Sequence, residues 1–158
     1  MLTKHSSKRP RILIGKDTRK SGDMLEAALT AGLCSMGAKV IPLGVVPTPA
    51  VAYLTRYYKA DAGVVISASH NPCEYNGIKF FNSDGYKLSD GIENEIESYI
   101  LGEKAIEELP THGKVGYVSA NHNAVEDYVA FAVSTIDCRL DGMKIAVDLS
   151  LIHISEPT

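Results

Sequence analysis

A chain of 158 residues is long enough for one compact domain and the opening of another. Its composition, 45% hydrophobic and 22% charged, is ordinary for a globular protein, and a net charge of −3 argues against nucleic acid or an anionic membrane surface as the main partner. No apolar run approaches the roughly 20 residues of a membrane span. The polar, basic stretch over residues 1–11 lacks the apolar core of a secretory signal, and Cys34, Cys73 and Cys138 are too few and too scattered for a disulfide framework or a zinc site. These features predict a cytoplasmic protein with reduced thiols.

Residues 11–15 (RILIG) read as a buried strand ending in glycine, followed by a polar loop over 16–22. Met24, Leu25, Ala28, Leu29, Gly32, Leu33 and Met36 then recur at helical spacing. Ser21 is placed to cap that helix, Asp23 and Glu26 suit its first turn, and Gly37 suits its stop. Residues 39–43 predict a second strand. Thr48-Pro49 predicts a helix start, with Ala50, Val51, Leu54 and Tyr57 as the inner stripe. Residues 63–66 predict a third strand, apolar on both faces. Strands alternating with helices at this spacing indicate an α/β layer fold with a largely parallel sheet.

A long polar loop over 67–76 comes next, then a predicted hairpin with arms 78–81 and 86–88 about an Asn82-Ser83-Asp84-Gly85 turn. Ser89 is set to cap a helix with Ile92, Ile96, Tyr99 and Ile100 inside. Residues 102–116, weakly periodic and broken by Pro110, read as a connection. Val125, Tyr128, Val129 and Ala132 suggest another helix, and 144–148 a strand opening a second domain.

Ligands of open α/β sheets sit beyond the carboxyl ends of the strands, where the loops 16–22, 44–48 and 67–76 emerge. The third is the most unusual. Ser69 offers a hydroxyl that could act as nucleophile or phosphate carrier, and His70 and Lys79 offer proton-transfer and anion-binding groups. Asn71 can donate to an oxyanion, Pro72 restricts Asn71 to extended backbone, and Gly77 permits a close approach. By composition alone the loop could equally be a polar turn. A serine-hydrolase reading is weaker, because the Gly-x-Ser-x-Gly elbow is absent.

The segments 63–72 (GVVISASHNP) and 76–81 (NGIKFF) together resemble the active-site signature of the α-D-phosphohexomutase family. Residues 15–22 (GKDTRKSG) are similar to that family's first phosphate-side loop, and 47–55 (PTPAVAYLT) to the stretch between. The resemblance covers about residues 1–148 and is strongest over 11–88. It implies a three-layer α/β/α domain I with a mixed, largely parallel sheet over 1–102, incomplete at its N-terminus. A linker and helix would follow over 103–141, then the first strand of a second, similar domain over 142–148.

The resemblance further implies that Ser69 carries a phosphoryl group, passes it to a hexosamine phosphate and regains it from the resulting sugar bisphosphate. Ser67 and the Phe80-Phe81 pair lean toward the branch that interconverts glucosamine 6-phosphate and glucosamine 1-phosphate; glucose or mannose phosphates, or a non-catalytic phosphosugar-binding module, are the alternatives. A phosphoserine brings about −1.5 to −2 charge, which Mg²⁺ would offset with a phosphoserine oxygen as one ligand. His70 and Lys79 become candidates to move the sugar hydroxyl's proton or to stabilise the transferring phosphoryl group, and Arg19 and Asn71 to contact substrate. Asp17 is expected to brace its own loop rather than perform chemistry. The resemblance leaves a homodimer of the full-length enzyme open. It also marks what these residues lack: the acidic metal loop, the sugar-specificity loop and a C-terminal phosphate-binding domain. Residues 149–158 (LSLIHISEPT) depart from the family and are expected to be foreign to it, and the chain alone is expected to turn over little substrate.

Overall fold

The computed structural model describes residues 8–106 and 108–146. Five strands form one sheet in the order β4-β3-β1-β2-β5. The central strand is β1 (Arg11–Lys16), which pairs in parallel with β2 (Lys39–Val45) on one side and β3 (Ala62–Ile66) on the other. Strand β4 (Ile78–Asn82) runs antiparallel to β3, and the two-residue β5 (Tyr117–Val118) pairs in parallel with β2. The sheet is therefore mixed and mostly parallel, as expected.

Alternation along β1 divides the core. Ile12 and Ile14 point to a cluster with Val40, Val64 and Ile66, covered by Leu25, Leu29 and Leu33 of α1 (Ser21–Ser35). Leu13 points the other way, into a cluster with Ile41, Leu43, Val65 and the Ala50, Val51 and Leu54 stripe of α2 (Thr48–Tyr57). Helices on both faces complete the three layers. Gly63 lets α2 sit close to β3, since a Cβ there would lie 2.1 Å from Thr55 Oγ1.

Several boundaries differ from the sequence reading. Ser21 does not cap α1; its Oγ accepts a hydrogen bond from Asn76 Nδ2 at 2.9 Å, so it ties the helix to the 67–76 loop instead. Helix α1 does stop at Gly37, whose φ of +85° favours glycine. Met24, Ala28 and Gly32 are exposed, because they lie about 100° from the Leu25, Leu29, Leu33 line that meets the sheet. Thr48 makes no capping bond, and Tyr57 is exposed although placed inside by its spacing. The predicted hairpin turn forms, with the Gly85 N–H donating to the Asn82 carbonyl and the Asn82 N–H to the Tyr86 carbonyl, but its second arm is reduced to a single bridge, Phe81 to Lys87, while the other edge of β4 pairs with β3.

Beyond the sheet, α3 (Asp90–Ile100) leaves Ile100 exposed and only half-buries Ile92, Ile96 and Tyr99. The connection after it carries a 3₁₀ turn at His112–Lys114 and the unforeseen β5. Helix α4 (Ala124–Ser134) packs on α2, where Tyr53 stacks on Phe131 with ring centroids 3.7 Å apart. Residues 144–146 are not strand, and the rest of the strand expected over 144–148, like the 149–158 tail, lies outside the described residues. No described helix is long and apolar enough to cross a membrane.

Candidate active site

The carboxyl ends of β1, β2 and β3 open into a cleft of about 340 Å³ lined by Asp17, Val46, Pro47, Thr48, Ser67, Ser69 and His70. All three loops singled out from the sequence converge there. Backbone bonds lock the convergence: the Asp17 N–H donates to the Ile66 carbonyl at 3.0 Å, and the Val46 N–H to the Lys16 carbonyl at 3.1 Å. Pro47 and Thr48 bring the N-terminal end of α2 to the same cleft, and the positive pole of a helix favours an anion.

Ser69 is exposed at the cleft and adopts φ of +57°, a left-handed conformation that costs a residue with a side chain about 1–2 kcal/mol. Its N–H donates to Ser67 Oγ at 3.2 Å, so the neighbouring serine, itself buried, helps define the turn. Loop closure continues at Ser67 N–H to the Gly77 carbonyl, 2.8 Å, and at Asn71 N–H to the Ala68 carbonyl, 3.1 Å. Gly77 stands close against Ser67, whose carbonyl oxygen would be 3.1 Å from a Cβ at that position.

Arg19, expected to contact substrate, is turned inward onto the 67–76 loop. It is 7% exposed, and each of its five side-chain N–H groups is committed within the protein. Nη1 donates to the carbonyls of Pro72 (2.6 Å) and Tyr75 (2.9 Å), Nη2 to those of Asn71 (2.7 Å) and Ser69 (3.1 Å), and Nε to Asp17 Oδ2 (3.0 Å). Asp17 Oδ1 also accepts the Arg19 backbone N–H, so Asp17 braces the loop as expected and pairs a charge that would be costly to bury alone. In this structure all five Arg19 side-chain donors hold the loop and Asp17.

His70 lies exposed on the cleft rim, and Asn71 has its side chain exposed beside it. Lys79 stands on β4 opposite Val65, exposed and without an ion-pair partner among the described residues; it does not line the cleft. The structure thus brings Ser69 and His70 together and leaves Lys79 one strand away. The loop-shaping bonds of Ser67 and Asn76 were not foreseen from the sequence, since one serine or asparagine in a polar run looks like another. Lys16, just before the site, is turned to α1 by Asp23 and Glu26. Burial alone would lower its pKa, but hydrogen bonds and charge from those carboxylates outweigh this and raise it.

Residues 1–107 match the family profile described as phosphoglucomutase/phosphomannomutase, alpha/beta/alpha domain I. The chain belongs to the phosphoglucomutase/phosphomannomutase family. Among curated relatives, it is 60% identical over 148 residues to the phosphoglucosamine mutase of Acetivibrio thermocellus, covering 94% of this chain and 33% of that protein. It is 59% identical over 146 residues to the phosphoglucosamine mutase of Ruminiclostridium cellulolyticum, covering 92% and 32%. The chain therefore spans about a third of the length of the curated relatives it matches. Among solved structures of the family, one described as a phosphomannomutase from Thermus thermophilus superposes with a TM-score of 0.67 at 30% identity, over 82% of this chain and 28% of that one. A phosphoglucomutase/phosphomannomutase family protein from Burkholderia thailandensis gives 0.62 at 26%, over 80% and 28%.

Among the described residues, no three of His, Cys, Asp and Glu converge as metal ligands, and both oxygens of the nearby Asp17 are bonded to Arg19. The described side chains do not by themselves make up a Mg²⁺ site.

Proposed function

We propose that this chain is the phosphoserine-bearing part of a phosphohexose mutase that interconverts glucosamine 6-phosphate and glucosamine 1-phosphate. The observation that carries the reading is Ser69: an exposed hydroxyl, held left-handed at a strand-end loop, in a cleft shared with a helix N-terminus. Relatives about 60% identical over this segment bear the name phosphoglucosamine mutase, which favours the hexosamine over the glucose and mannose phosphates.

On this reading the resting enzyme carries a phosphoryl group on Ser69 Oγ. The free hydroxyl of a bound sugar monophosphate attacks it. The Oγ–P bond breaks as the sugar O–P bond forms, and the hydroxyl proton leaves to a base. The sugar bisphosphate turns over, and its other phosphate returns to Ser69 by the reverse step, so phosphate is conserved. His70, on the cleft rim, and Lys79, which has no ion-pair partner among the described residues, are the candidates to carry the proton. Asn71, exposed next to His70, is the candidate to meet substrate oxygens. Mg²⁺ would neutralise charge on the transferring group, with the phosphorylated Ser69 as this chain's ligand; the carboxylates it needs are not among the described residues. Residues 1–102 read as the domain carrying this loop and 103–141 as the passage to a second domain. The three free cysteines fit a reducing cytoplasm.

The deciding experiment is intact-mass analysis of the full-length protein before and after incubation with glucosamine 1,6-bisphosphate. One added phosphate is expected on the wild type and none on Ser69→Ala. Absence of serine-linked phosphate under every condition would favour a phosphosugar-binding module instead. Faster turnover of glucose or mannose 1-phosphate than of glucosamine 1-phosphate would move the assignment to a sister activity.

A further inference from the structure

A buried guanidinium with five bonds is an unusual investment so near a cleft. Four of its acceptors are backbone carbonyls of a single loop, at residues 69, 71, 72 and 75. Carbonyls that converge on one cation cannot reorient independently, because moving one peptide breaks a charge-assisted bond. The first of the four belongs to Ser69, the residue whose backbone is left-handed. The clamp therefore grips the peptide that must be held against its own preference. Asp17 grips the clamp in turn, through both the Arg19 Nε–H and its backbone N–H.

We infer that Arg19 is a positioning residue for phosphoryl transfer: it fixes the Ser69 peptide so that Oγ presents its phosphate to the cleft, and it acts through the loop without touching substrate. The inference rests on the reading of Ser69 as the phosphoryl carrier. Lysine cannot replace it, since a compact ammonium has three donors and no planar fork.

Arg19→Lys and Arg19→Ala are to be compared with wild type in the full-length protein, with kcat, KM and the folded fraction measured on each. The expected result is a kcat at least about a hundredfold lower per folded molecule, as for a reacting group displaced by about an ångström, with KM little changed. Methylguanidinium added to Arg19→Ala should restore part of the lost turnover, and none to a variant also carrying Ser69→Ala. A rise in KM with kcat retained would make Arg19 a substrate contact and overturn the inference. So would full kcat in the folded fraction, which would leave Arg19 a stabilising role only. Should neither variant fold, a crystal structure of wild type with bound sugar phosphate decides: a guanidinium still on the four carbonyls supports the clamp, and one turned to the ligand overturns it. A wild type that takes up no phosphate on Ser69 sinks the functional reading and this inference with it, whereas an active wild type matched by both variants sinks the inference alone.

Discussion

Ser69, Arg19 and Asp17 form a chain of dependence at the site. The carboxylate pairs the guanidinium, the guanidinium holds the loop carbonyls, and the loop holds a serine in a conformation it would leave if free. Strain of this kind persists only where the surroundings over-determine it. Replacing Ser69 by glycine removes the steric cost, so Ser69→Gly should gain about 1 kcal/mol of stability in chemical denaturation. Ser69→Val should lose stability, since a β-branched side chain tolerates positive φ poorly. A glycine variant clearly less stable than wild type would show that the left-handed turn is not strained. The same residues mark the limit of reading in one dimension. Ser69 stood out because SASHNP followed by NGIK is distinctive, but Arg19 looked like a free phosphate fork, and only the folded loop supplied the carbonyls that occupy it.

Between elements, the joint of α2 and α4 combines aromatic packing with one hydrogen bond. Tyr53 stacks between Tyr57 and Phe131, and Tyr58 OH donates to Asp127 on α4. Burial, then the bond to Asp127, push the Tyr58 pKa from 10.0 up to about 12. The folded chain therefore holds this proton more tightly than the unfolded chain. Its contribution to stability should be complete below pH 10 and lost as pH rises through 12, the unfolded state binding fewer protons in that window. Denaturation of wild type and Tyr58→Phe at stepped pH should show this component in the former only; parallel curves would remove Tyr58 from the account. The sequence placed α4 by its periodicity, but held no sign that its partner would be α2, because helical spacing shows that a face is apolar without saying what covers it.

For the whole molecule, the sheet is well buried at its centre, whereas the chain after β5 leaves many apolar side chains exposed. Val125, Val129 and Val133 share one side of α4 and are 49%, 52% and 62% exposed, and Ile136, Leu140, Met143 and Ile145 beyond them are also exposed. Exposed apolar side chains in this number favour association. The isolated 158-residue chain should therefore self-associate as its concentration rises, and Val129→Glu with Val133→Glu should shift it toward monomer in analytical ultracentrifugation. A wild-type chain that stays monomeric throughout would show that this surface is tolerated by water.

The α/β class, the three core strands, the loops at their carboxyl ends and the choice of Ser69 as the candidate phosphate carrier were all determined by sequence. Each is written locally, in apolar runs, glycine stops and one distinctive motif. Tertiary structure alone decided that β4 would pair with β3, that a two-residue strand would extend the sheet past β2, and that Arg19 would hold the loop carbonyls. These outcomes depend on which hydrogen-bonding groups meet between distant parts of the chain, and spacing along a sequence carries no record of that meeting.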